Sequence, residues 1–214
     1  MRRHYSLSDK VIMNVDLALR TLFIQKNRIT TRPSPASNIE QPILSNDETR
    51  HVAGLMRVNH TGEVCAQALY QGQALTAKLD NVKEKMMEAA QEETDHLGWC
   101  ESRLNDLNAK PSLLNSPWYF LSFSIGAIAG LAGDKWSLGF VVETEKQVTK
   151  HLESHIQQLP KTDKKSLKIL QQMVIDETAH AMTALDAGGK ELPLLIKKFM
   201  TFMSKLMTNS SYYI

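Results

Sequence analysis

The chain has 214 residues, 43% of them hydrophobic, which suffices for one domain with its own core. Its 25 basic and 23 acidic side chains nearly balance, so charge gives no reason to expect a nucleic-acid partner. The two cysteines, Cys65 and Cys100, form neither a CxxC pair nor a disulfide framework. They read as small buried side chains in a reducing compartment.

The opening MRRHYSLSDKVIMNVD lacks the apolar run and small-residue cleavage site of a secretory signal. Helical periodicity then dominates the chain. A first amphipathic helix is predicted over 8–24, with Ser8 as N-cap and Val11, Ile12, Val15, Leu19, Leu22 and Phe23 on one side. Residues 26–47 are turn-rich and read as a linker. Long helices follow at 47–79 and 81–108, then a break over 111–117 bounded by Pro111 and Pro117. An uncharged helix runs to Gly133, and another to Leu159, where Pro160 ends it. A helix over 163–187 stops at Gly188-Gly189, and a last amphipathic helix covers 191–207. No stretch alternates with the period of a half-buried strand, so the chain is predicted to be all-α.

One spacing occurs twice. Glu63 is followed by Glu93-Thr94-Asp95-His96, and at a nearly equal separation Glu145 is followed by Glu177-Thr178-Ala179-His180. Each half supplies a lone Glu on one helix and a Glu-x-x-His on the next. Residues three apart share a helix face, so each Glu and His can reach one metal ion. Ferritin-like di-iron bundles use this pattern. All four segments place their acidic residue on an apolar stripe; Met86, Ala90, Leu97 and Cys100 flank Glu93, for example. Carboxylates buried there must bind protons or cations. A single ExxH on a helix is ordinarily a solvated Glu and an unremarkable His, but two copies at matched spacing make coincidence a poor account. Carboxylate and imidazole donors suit iron.

The neighbours of this pattern read less sharply. His60 shares the face of Glu63, either beside the site or as a satisfied core histidine. Asp176 either steadies a ligating imidazole or is solvated. Glu143 competes weakly with Glu145, Glu92 reads as solvated, and spacing alone puts His151 on the helix surface. Gly126, Gly130 and Gly133 match no nucleotide loop and read as close-packing positions.

Several segments resemble the Coq7 family, the demethoxyubiquinone hydroxylases, and its bacterial branch most. They are LMRVNHTGEVCAQALYQGQ (55–73), EETDHLGWCE (92–101), GDKWSLGFVVETE (133–145), DETAH (176–180) and the ending MTNSSYYI (207–214). The resemblance implies a ferritin-like four-helix bundle with additional amphipathic, membrane-contacting helices. Its parts would be an N-terminal helix and linker at 1–47, the di-iron bundle at 48–190 and a C-terminal helix at 191–214. It further implies two ferrous ions on Glu63, Glu93, His96, Glu145, Glu177 and His180, with Glu93 and Glu177 bridging. It selects Glu145 over Glu143 and makes His151 the histidine near the quinone. Some members carry a tyrosine next, where this chain has Leu152.

The implied reaction is O2-dependent hydroxylation of the demethoxyubiquinol ring in ubiquinone biosynthesis. A polyprenyl substrate implies a peripheral protein on the cytoplasmic side of the cell membrane, touching inner-membrane lipid. Trp118 and Tyr119 would lie near the headgroups. Leu194, Leu195, Phe199, Phe202, Met203 and Leu206 would form a second contact, beside Lys197, Lys198 and Lys205. A helix lying in the interface is favoured over a spanning one. A homo-oligomer is compatible with the sequence. No flavin or nicotinamide fingerprint occurs, so electrons come from the quinol, a diffusing reductant or a partner. The competing readings are a ferritin-like iron oxidase or peroxide scavenger, and a metal-free lipid-binding bundle.

Overall fold

A computed structural model describes residues 6–23, 28 and 30–214, with Leu7, Lys10, Val11, Asp80, Asn81 and Lys83 described by backbone alone. Seven helices and no strand occur among the described residues. They are α1 (Leu7–Leu22), α2 (Asn46–Thr76), α3 (Asp80–Asp106), α4 (Asn115–Leu131), α5 (Asp134–Gln158), α6 (Lys164–Asp186) and α7 (Leu194–Tyr213). The all-α expectation holds.

Local chemistry sets the helix ends. Ser6, rather than the expected Ser8, caps α1: its hydroxyl accepts from Asp9 N, and Asp9 accepts in return from Ser6 N. Ile24, the expected end of that helix, lies outside the described residues, as does the side chain of Val11. Ser45 and Glu48 make the same reciprocal box at the start of α2. Helix α4 starts at Asn115, so Pro117 lies inside its first turn, where a missing N–H is harmless, instead of interrupting the apolar run. Gly133 is not a packing position; it precedes α5 with φ +113°, a conformation suited to glycine. Asp134 beside it accepts from Lys78 N (3.1 Å) and Leu79 N (3.0 Å), tying the α2–α3 turn to the start of α5.

Helices α2, α3, α5 and α6 form a four-helix bundle, with α2 packed on α3 and α5 on α6. Its core has two apolar layers. One is built around Val52, Met56, Trp99, Leu104, Leu152, Leu170 and Met173. The other is built around Ala66, Tyr70, Met86, Leu138, Val141 and Ala184. Every bundle helix contributes to both layers, and between them each carries its member of the repeated Glu/His pattern.

Helix α4 lies against the outside of α2. A Cβ on Gly126 would stand 2.2 Å from Leu69 O, and one on Gly72 would stand 2.2 Å from Phe123 O, so the two backbones need glycine to approach. Helix α7 crosses α2 and touches α5. Its C-terminal end is held where the Tyr212 hydroxyl meets His51 Nδ1 (2.6 Å) and Arg57 donates to Tyr212 O (2.6 Å). No helix among the described residues is long and apolar enough to cross a membrane.

One buried ion pair joins the halves of the bundle. Arg103 on α3 donates to Asp163 (3.0 Å), the N-cap of α6, and to Ser166 Oγ (2.8 Å) and Gln41 (2.8 Å). Both charged side chains are fully buried. Arg103→Ala would strip the buried Asp163 carboxylate of its counter-ion, leaving it only the Ser166 N–H it caps. Its expected effect is a loss of about 3–5 kcal/mol of stability, measured by chemical denaturation.

Candidate metal centre

Between the two apolar layers, α2 supplies Glu63, α3 supplies Glu93 and His96, α5 supplies Glu145, and α6 supplies Glu177 and His180. Two four-residue groups result, each with its ligand atoms within 4.8 Å of one another: Glu63, Glu93, His96 and Glu177, then Glu93, Glu145, Glu177 and His180. Glu93 and Glu177 belong to both, the arrangement two bridging carboxylates need. Both histidines turn Nδ1 inward. His96 Nδ1 lies 3.0 Å from Glu177, 3.3 Å from Glu93 and 3.5 Å from Glu63. His180 Nδ1 lies 3.1 Å from Glu177 and 3.3 Å from Glu93.

The electrostatics are those of charge in excess. Burial, aided by repulsion from Glu93, pushes the Glu63 carboxyl well above the usual range. Burial and Glu177 do the same to Glu145. Burial works against the charged forms of Glu93 and His96, but at Glu93 it is overruled by His180 and His96, and at His96 by Glu177, Asp176 and Glu63. Glu93 is held well below its ordinary value and His96 well above. His180 likewise overcomes burial through Glu177 and Glu93, and is pushed up to about 12. Glu63 Oε2, Glu93 Oε1 and Glu177 Oε1 are buried with no hydrogen-bond partner. Such carboxylate oxygens, gathered with the inward imidazole nitrogens into two groups, fit a pair of divalent ions.

The outward nitrogens are also held. His96 Nε2 meets Asp176 Oδ2 at 2.9 Å, and His180 Nε2 meets Glu92. Of the two sequence readings of Asp176, the structure takes the one that steadies an imidazole. Glu92, expected to be free in solvent, is 55% exposed but engaged. The signal was present: Asp176 and Glu92 each immediately precede an ExxH, and each reaches across to the other helix's histidine. Tyr70 on α2 donates its hydroxyl to Glu145 Oε1. Glu143 points away, toward Gln147 and Lys197. His60 is buried, with Nδ1 at 3.3 Å from Asn115; its Nε2 lies 3.5 Å from Glu101 and has no hydrogen-bond partner, so it is a core histidine satisfied on one side only.

Two cavities flank the cluster. The larger, about 170 Å³, is lined by Glu63, Ala66, Trp118, Val148, His151 and Met203, among others, and is almost wholly apolar. Its wall includes Leu121 and Phe199, which are also exposed outside. His151, placed on the surface by spacing, faces this cavity; its ring packs edge-on against His155 at 3.9 Å. The smaller cavity, about 130 Å³, is lined by Tyr70, Lys85, Glu88, Glu92 and His180 and is more polar.

Residues 50–211 match the family profile described as Ubiquinone biosynthesis protein COQ7. The chain belongs to the COQ7 family. Among its relatives, a 3-demethoxyubiquinol 3-hydroxylase of Legionella pneumophila (strain Corby) is 60% identical over 99% of this chain and 100% of its own. One of Acinetobacter baylyi is 58% identical over the same shares. A solved dodecameric thioferritin, the bacterioferritin-related protein from Bacteroides fragilis, shares the fold. Its TM-score is 0.55 at 17% identity, over 64% of this chain and 84% of that one. The COQ7 chain is thus a ferritin-like bundle elaborated by α1, α4 and α7.

Metal binding must displace the protons held at Glu63, Glu145 and the two histidines. Affinity for cobalt(II) is therefore expected to rise with pH, with protons released on binding. Titrations in weakly buffered solution at about pH 6 and about pH 8 check the sign, and equal affinity at both would contradict it.

Proposed function

We propose that this chain hydroxylates the ring of a polyprenyl demethoxyubiquinol with O2, at two iron ions held by Glu63, Glu93, His96, Glu145, Glu177 and His180. The observation that carries this reading is the apolar cavity meeting the acidic cluster at Glu63. An iron oxidase without an organic substrate has no use for such a cavity. The shared activity name of two full-length relatives favours the same substrate.

When bound, the ions supply reductive activation of O2. The chain's own groups do the rest. Trp118, Val148 and Met203 form a dry wall that admits a ring and excludes water. His151 is kept neutral by burial, which lowers its pKa, and its buried Nε2 has no protein partner. That nitrogen is positioned to hydrogen-bond a ring oxygen and hold the ring toward Glu63. His155 braces it from behind, itself fixed by Asn59 Oδ1 at 2.8 Å. Leu152, at the tyrosine position of some members, is buried in the core, so no hydroxyl follows His151 here.

The same reading makes the protein peripheral to the membrane. Ile12, Val15 and Phe23 of the α1 segment, Phe120 and Ile128 of α4, and Leu195 and Phe202 of α7 all expose apolar side chains. The tail would leave the cavity between Leu121 and Phe199, on that apolar side. Three expected contacts are revised. Tyr119 is buried, donating to Gln71; Met203 turns into the cavity; Lys197 is tied to Glu191 at 2.9 Å.

Diferrous protein given demethoxyubiquinol and O2 should yield the hydroxylated ring; a protein that consumes O2 but leaves the ring unchanged would favour the iron-oxidase reading. His151→Ala should keep two irons per chain and lower kcat/KM by on the order of 10- to 100-fold, the effect of losing one buried hydrogen bond. Leu195→Glu with Phe202→Glu should reduce co-sedimentation with anionic phospholipid vesicles, with iron content unchanged.

A further inference from the structure

The two groups of candidate ligands have the same composition, three carboxylates and one imidazole, so their ligand sets give no reason for unequal affinity. Their surroundings differ. His96 is fully buried, and the carboxylate on its Nε2 is itself clamped. Asp176 Oδ2 receives Arg32 Nη1 at 2.9 Å while its Oδ1 receives Gln172 at 2.9 Å. Arg32 is anchored in turn. Its Nε meets Asp95 at 3.0 Å, its guanidinium lies over the Trp99 ring at 5.0 Å, and its carbonyl accepts from Trp99 Nε1 at 3.4 Å. Asp95 is fully buried and also accepts from Thr31 N and Oγ1, at 2.6 and 2.7 Å. The segment before α2 thus reaches across α3 to grip the group that holds His96.

Among the described residues nothing comparable stands behind His180. Its Nε2 partner is Glu92, more than half exposed and screened by water. His180 itself lines the smaller cavity, where Lys85, Glu88 and Glu92 stand beside Met86, Leu138 and Val141, which gives water and small solutes an approach that the fully buried His96 lacks.

We propose that the two metal positions are unequal: the His96 position, locked by Arg32 through Asp176, retains its ion, and the His180 position exchanges its ion through the smaller cavity. The inference rests on the two-metal reading above. Arg32 is a positioning residue in this account, and it lies outside residues 50–211 matched by the family profile.

The experiment loads the full-length apo protein with cobalt(II), then follows release to excess EDTA by the cobalt absorption. Two cobalt ions per chain are expected, leaving in two phases of equal amplitude whose rates differ by at least about tenfold. Arg32→Gln should speed the slow phase on the order of 10- to 100-fold and leave the fast one unchanged. Glu92→Gln should speed only the fast phase. A general loosening of the bundle would instead accelerate both phases, so the selectivity separates positioning from stability. A single release phase, or Arg32→Gln acting on both phases alike, overturns the inference while leaving the two-metal reading standing. Fewer than two cobalt ions per chain sinks that reading, and the inference with it.

Discussion

Four carboxylates share one buried layer of this bundle, and most of the architecture follows from having to keep them there. Two like charges about 4 Å apart repel by about 4 kcal/mol even at an effective dielectric of about 20. Four glutamates between two apolar layers cannot all be ionised without compensation. The chain supplies part of it through two imidazoles turned inward by Nδ1, and burial with the neighbouring carboxylates raises the proton affinity of Glu63 and Glu145. Divalent ions at the two groups of ligand atoms would supply the compensation in place of protons. The apolar layers above and below hold the four helices at a separation set by side-chain packing, so the cluster does not relax by spreading.

The layer also separates two environments. On the Glu63 side lies a dry cavity whose outer residues continue into exposed apolar faces of α4 and α7. On the His180 side lies a smaller cavity of mixed lining, with Glu88, Glu92 and Lys85 beside Met86, Leu138 and Val141. A substrate dissolved in lipid and solutes dissolved in water would thus meet the same centre from different directions. The additions to the simple bundle serve this division. Helix α4 packs on α2 through glycines and walls the apolar side, while α7 covers that cavity and is pinned by Tyr212 to His51.

Much of this was legible in the chain itself. Helix content, the helix order and the six clustered side chains follow from periodicity and a doubled spacing, because i and i+3 share a face whatever the helix packs against. Helix ends were less legible. Ser6 and Ser8 are equally good caps in isolation, and the choice fell to Asp9, three residues after Ser6. Pro117 reads as a breaker until the helix is seen to begin two residues before it.

The sequence by itself determined that a layer of acid and imidazole would be buried, since those residues recur on apolar stripes of four helices. Only the tertiary structure decided what surrounds that layer. His151 faces a cavity because α7 folds over α5, a contact between distant segments that periodicity does not encode. Glu92 and Asp176 exchange histidines across the α3–α6 interface, and Arg32 reaches Asp176 from before the bundle begins. Spacing along one helix reports which face a residue occupies. Which neighbour waits opposite that face depends on chain segments far away in sequence, brought there by packing of the whole.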